Sequence, residues 1–140
     1  MKKMYLGALA LMAVASVCSS VQAQCPGFLR NCEKANAGAF AGYTLVDAVF
    51  DELDVKGGSV KLTLNAGNTY RFLACTDKRV EAVMLLLADS KGAVFASNLT
   101  DDGQGVYKVL EINCMATAEY VLHIKPLKGS GCAGMIYALK

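Results

Sequence analysis

The residues able to do chemistry in this chain are six cysteines, one histidine and a scatter of aspartates, and their spacing narrows the options. Cys18, Cys25, Cys32, Cys75, Cys114 and Cys132 include no Cys-x-x-Cys pair. A dithiol redox centre wants that spacing, because a neighbouring thiol must reach the mixed disulfide formed at the first. Structural zinc wants closely paired ligands as well, and the single histidine, His123, lies inside an apolar strand pattern. The cysteines therefore read as disulfide partners. Asp77, Asp89, Asp101 and Asp102 are the acidic candidates, and all fall in loops. Acid–base catalysis needs two positioned carboxyls, or a carboxyl with a His, on rigid elements. Calcium is the sharper reading of these four, since loop oxygens suit a hard cation, but no Asp-x-Asp-x-Asp run is present.

Other catalytic signatures are missing. No Ser stands in a Gly-x-Ser-x-Gly elbow. Gly57-Gly58, Gly103-Gln104-Gly105 and Gly129-Ser130-Gly131 lack the Lys and the strand-turn-helix context of a phosphate loop, so they read as turns. Tyr70, Phe72, Tyr107, Tyr120 and Tyr137 are able to stack sugars, but aromatics at strand spacing belong more often to a core or a sheet surface. We assign no catalytic residue and no cofactor from the sequence.

The N-terminal 23 residues change the arithmetic of the rest. Lys2 and Lys3 precede an uncharged run from Tyr5 to Val17, and Val21-Gln22-Ala23 is a small-x-small cleavage site. This reads as a secretory signal peptide over 1–23. The run turns polar at Ser19 and Ser20 and is marginal for a membrane span. Cleavage would leave a domain over 24–140, with an N-terminal arm over 24–57. Removing Lys2 and Lys3 brings the 14 Lys and Arg down to parity with the 12 Asp and Glu. A neutral surface offers no long-range steering toward nucleic acid. Removing Cys18 leaves Cys25, Cys32, Cys75, Cys114 and Cys132, an odd number. We expect Cys25–Cys32 and Cys75–Cys132 as the bridges, leaving Cys114 unpaired.

The elements follow from periodicity. Gln24 to Gly42 has no clear period. Leu45, Val46, Val49, Phe50 and Leu53 recur at helical spacing behind a capping Thr44, so Thr44 to Val55 reads as a short helix in preference to an extended arm. After Gly58 the pattern is strand after strand: Val60 to Leu64, Tyr70 to Cys75, Ala82 to Ala88, Ala93 to Ser97, Val106 to Asn113, Glu119 to Lys125 and Cys132 to Leu139. Along one of these, His123 alternates with Leu122 and Ile124 and shares a face with Val121 and Lys125. The fold class expected is all-β: a jelly-roll-like β-sandwich of about seven to eight strands with a short N-terminal helical or extended arm.

Three of these pieces carry a family resemblance. They are Leu64 to Phe72, with its turn Asn65-Ala66-Gly67-Asn68; the hairpin from Leu85 to Ser97; and Gly103 to Glu111 followed by Ala118 to Ile124. Together they resemble bacterial pre-peptidase C-terminal domains over Gly58 to Leu139. The chain departs from the pattern at Thr117-Ala118-Glu119-Tyr120, where those domains carry Thr-Gly-x-Tyr. The resemblance implies an exported β-sandwich with an accessory, adhesive or contacting role and no catalytic residues.

The function expected is therefore a non-enzymatic accessory or binding module of a bacterial envelope, periplasmic or extracellular, contacting protein or glycan. Two alternatives stand beside it. One is a structural envelope protein or disulfide-linked oligomer joined through the odd cysteine; the other is a calcium-dependent binding module using Asp77, Asp89, Asp101 and Asp102.

Overall fold

Side chains that alternate between a dry and a wet side every second residue build strands, and the chain holds that period for most of its length. The computed structural model describes residues 25–140. The expected signal peptide over 1–23, and with it Cys18, lies outside the described residues. The elements in chain order are a helix α1 (Phe28–Ala35), a 3-10 turn (Ala37–Phe40), β1 (Thr44–Val49), β2 (Glu52–Leu53), β3 (Gly58–Leu64), β4 (Thr69–Thr76), β5 (Val83–Ala88), β6 (Val94–Ser97), β7 (Val109–Asn113), β8 (Ala118–Pro126) and β9 (Gly131–Leu139).

The strands form two antiparallel sheets. The first has the order β1-β9-β4-β7, with β2 also pairing with β9; the second has the order β3-β8-β5-β6. This is the all-β sandwich that the alternation predicts. Each sheet turns its apolar side chains inward. Leu62 and Leu64 of β3, Leu85 and Leu87 of β5, and Leu122 and Ile124 of β8 meet Phe72 of β4 and Met135 of β9 in one core. Phe72 and Tyr137 stack across the first sheet at 5.6 Å between ring centroids.

The first sheet is also dry on its outer side. Leu73, Ile136 and Ala138 face outward there, under Leu29 of α1 and Phe40 of the 3-10 turn. This second core explains why β9 is buried along most of its length, without the alternation of a half-wet strand. The helix approaches closely because Gly134 has no side chain. A Cβ there would fall 2.2 Å from the Phe50 carbonyl oxygen and 3.0 Å from Leu29 Cδ2.

Two expectations are corrected. Thr44 to Val55 is extended, as β1 and β2, both laid against β9. Its apolar residues fit either period, and the β-branched Thr44, Val46 and Val49 favour a strand once β9 supplies a ladder. The helix sits earlier, in the segment without a clear period; it is only eight residues long and turns Phe28, Leu29 and Cys32 toward the first sheet. The disulfides also exchange partners. The bonds are Cys25–Cys132 and Cys32–Cys75, not Cys25–Cys32 and Cys75–Cys132. Cys32 lies on α1 and Cys25 just before it, so seven residues of near-helical rise separate them by about 10 Å, beyond the reach of one disulfide. The two half-cystines on the outer face of the first sheet bond to the arm above them.

Candidate functional site

The two outer faces of the sandwich differ in kind. On the first sheet, α1 lies over β4 and β9, tied down by both disulfides. On the second sheet no helix covers the strands among the described residues. Alternation turns Ser59, Lys61 and Thr63 of β3, Val121, His123 and Lys125 of β8, and Met84 and Leu86 of β5 toward that open face. Register sets them in rows: Ser59 opposite His123 and His123 opposite Leu86, with Met84 opposite Lys125.

One end of this face is a shallow groove lined by Lys56, Ser59, Met84, Leu86, His123 and Lys125. Its wall is set by Gly57, at φ 75°, where a Cβ would meet the Ile124 carbonyl oxygen at 2.0 Å. Only glycine lets the β2–β3 turn pass so close to β8 in that conformation. Met84, Leu86, Val121 and His123 are half-buried, whereas Lys56, Lys61 and Lys125 are exposed.

Ser59 Oγ and His123 Nδ1 lie 2.7 Å apart, which places a hydroxyl beside an imidazole. The pair is not extended into a catalytic triad among the described residues. No carboxylate among the described residues is hydrogen-bonded to the other ring nitrogen. Ser59 also lies within a strand, whose amide N–H groups run in the plane of the sheet and do not gather above the hydroxyl as an oxyanion hole. The pair instead fixes the tilt of the imidazole over the sheet.

The four candidate aspartates are dispersed into local structure. Asp77 accepts hydrogen bonds from Arg79 N at 2.8 Å and Arg79 Nε at 2.9 Å, and the Arg79 side-chain hydrogen bond holds its carboxyl below the usual range. Asp89 closes the β5–β6 turn by accepting from Lys91 N and Ala93 N. Asp102 accepts from the Thr100 hydroxyl at 2.6 Å and from Gln104 N, and the Thr100 contact lowers its pKa. Asp101 is exposed in the same loop. Among the described residues no three His, Cys, Asp or Glu side chains gather to hold a metal ion. Cys114 is free and buried.

A second polar cluster lies at the arm. Arg71 donates to the Glu111 carboxylate through Nε at 2.8 Å, and the Tyr43 hydroxyl donates to the same oxygen at 2.8 Å. The Arg71 hydrogen bond, ahead of that from Tyr43, lowers the pKa of Glu111, while the Glu111 bond raises that of Tyr43. The guanidinium also stacks over the Tyr43 ring at 4.3 Å. These contacts fasten Tyr43 of the arm to β4 and β7 through one carboxylate oxygen of Glu111.

Of the aromatics weighed as sugar platforms, Tyr70, Phe72, Tyr120 and Tyr137 are buried, and Tyr107 alone is exposed. The sequence pattern gave no warning of Asn98, which is 1% exposed and bridges three backbone groups. A lone Asn followed by a polar loop reads as part of that loop.

These features define a class: a small antiparallel β-sandwich with a disulfide-anchored arm on one outer face and a bare sheet on the other. Among solved structures it is similar to the crystal structure of Aeromonas hydrophila PliG, a periplasmic lysozyme inhibitor of g-type lysozyme, with a TM-score of 0.50 and 10% identity over 71% of this chain and 90% of that one. At that identity the likeness concerns the fold. No family model matches the chain, and no curated protein matches it.

Proposed function

We propose that this chain is an exported, non-catalytic binding module whose partner is a protein. The observation that carries the reading is the asymmetry of the sandwich. Both disulfides and α1 cover β4 and β9 on one outer face, while the other, uncovered by any helix among the described residues, presents half-buried Met84, Leu86 and Val121 to solvent. Met84 and Leu86 lie on the same side of β5 and line the groove together with His123, so this apolar surface is gathered and not scattered. Two disulfides suit an oxidising compartment, in keeping with the export segment read at the N-terminus. The similar fold of a periplasmic protein inhibitor supports the same reading, as does the resemblance of Gly58 to Leu139 to accessory domains.

The test is to present the chain from Gln24 onward to g-type lysozyme, to isolated cell-wall material and to a glycan array. The reading expects saturable binding to a protein, with no turnover of any substrate offered. Retention on glycan or wall material alone, or a defined turnover, would overturn it.

A further inference from the structure

We propose that the open face of the second sheet docks an acidic protein surface, with Lys56 and Lys125 pairing to carboxylates of the partner and Met84 and Leu86 covering an apolar side chain between them. This rests on the protein-binding reading above and adds to it the surface and the partner's chemistry.

Charge is the first argument. The face carries Lys56, Lys61 and Lys125, and against them two acids, Glu119 in the sheet and Asp54 in the turn beside Lys56. Of these, Glu119 is paired with Lys61 at 3.3 Å, at the end of β8 away from the groove. Among the described residues the ion pairs are Lys61–Glu119, Arg71–Glu111 and Arg79–Asp77, so neither Lys56 nor Lys125 takes part in one. Asp54, in the same turn, accepts the Lys56 amide hydrogen at 2.8 Å and makes no ion pair with either lysine, so the face keeps three cations against two acids. The chain as a whole is close to neutral once Lys2 and Lys3 are set aside, so a locally cationic face is a feature of placement and not of composition.

The remaining occupants fit less well. A second copy meeting this face symmetrically would press like charges together. A sugar prefers an aromatic platform, but the groove is lined by Met84 and Leu86, while the exposed Phe95 packs against Tyr120 at the β6 edge and Tyr107 lies in the loop before β7. Aliphatic side chains flanked by two lysine ammonium groups suit a polypeptide that alternates acidic and apolar residues. The methylene stems of the lysines extend the apolar surface while their heads reach the carboxylates. His123, fixed by Ser59, forms the floor between them.

The probe is an acetylated, amidated peptide of sequence Glu-Leu-Glu-Val-Glu-Leu-Glu, with its Gln-for-Glu counterpart as comparison. Both are titrated into the isotopically labelled chain from Gln24 onward while amide shifts are followed. The expected result is shifts concentrated at Ser59, Met84, Leu86, His123 and Lys125, with the acidic peptide binding at least tenfold more tightly than the Gln peptide. The double substitution Lys56→Glu and Lys125→Glu lowers the affinity for the acidic peptide at least tenfold, whereas Lys34→Glu with Lys91→Glu, on other surfaces, changes it less than twofold. Thermal melts of both variants establish that the fold is kept. Equal binding of the two peptides, shifts confined to other surfaces, an unaffected Lys56→Glu/Lys125→Glu variant, or tighter binding of a sulfated polysaccharide at this face overturns the inference. A purified protein partner mapped to another surface overturns it while leaving the binding-module reading intact; substrate turnover removes that reading itself.

Discussion

Cys25 and Cys132 are bonded across a sequence separation of 107 residues, and Arg79 Nη2 donates to the Cys132 sulfur at 3.0 Å. The bond ties the start of the arm to the start of β9, so nearly the whole described chain lies within one covalent loop. Cys32–Cys75 closes a loop of sequence separation 43 inside it. Loop-closure entropy assigns about 4–5 kcal/mol to each, slightly more to the longer. Replacing Cys25 and Cys132 together by serine is expected to lower the unfolding free energy by roughly that amount, read by denaturant titration. The arm should loosen first, with fast amide exchange over α1 and the 3-10 turn while β3, β5 and β8 stay protected.

The contrast between arm and sandwich also explains what the sequence makes legible. The strands after Gly58 are readable because each is half-wet or carries a short apolar run, and Leu122 and Ile124 against His123 and Lys125 show their two faces directly. The arm is different. Its helix is short, and β1 owes its extended form to β9, which lies at the far end of the chain. Nothing local marks that dependence. The open face shares this limit: alternation places His123 and Lys125 on one side of β8, but Ser59 and Met84 join them only through the non-local register of β3 and β5. The disulfide pairing is likewise a property of the assembled first sheet. Cys75 and Cys132 lie near each other on its outer face, and what decides their partners is the arm above.

Asn98 completes the edge of β5 where β6 ends. Its Oδ1 accepts from Leu85 N at 2.7 Å, and its Nδ2 donates to the carbonyls of Val83 at 2.9 Å and Tyr107 at 2.8 Å. The side chain acts as one further rung of the ladder and holds the 99–108 loop against the sheet. Asn98→Leu would fill similar space but strand a buried N–H and two carbonyls. The expected cost is about 3 kcal/mol, since unsatisfied buried groups lose their full solvation. Urea unfolding measures it, and a loss below about 1 kcal/mol would mean that water replaces the amide.

Asp77 links the β4–β5 loop to Arg79 and to the amide of Cys132 at 3.3 Å. The Arg79 side-chain hydrogen bond is the largest influence on its carboxyl, and it lowers the pKa from an ordinary 3.8. A carboxyl depressed in the folded state stabilises the protein above its unfolded pKa. That contribution is lost as pH falls from about 4 through the lower folded value. Asp77→Asn should therefore destabilise at neutral pH by about 1–2 kcal/mol. It should also flatten the acid limb of the stability profile, so that wild type and variant converge at low pH. Thermal melts across that range test it, and a constant gap down to the lowest pH would assign the effect to packing.

Cys114 bears on whether the odd thiol joins two chains. It is 5% exposed, and its Sγ donates to the Ala116 carbonyl at 3.2 Å, which also accepts from the Tyr120 hydroxyl at 2.6 Å. An interchain disulfide would have to draw the sulfur out of the core beneath the exposed Met115. The folded chain from Gln24 onward should therefore resist an aromatic disulfide reagent, reacting only at the rate of local opening. In denaturant without reductant it should yield one thiol per chain at once. Non-reducing gels of protein alkylated while folded should show monomer, and Cys114→Ala should leave that band unchanged while costing about 1 kcal/mol of stability. Prompt reaction of the folded protein, or a dimer that Cys114→Ala abolishes, would restore the bridged oligomer as the better account.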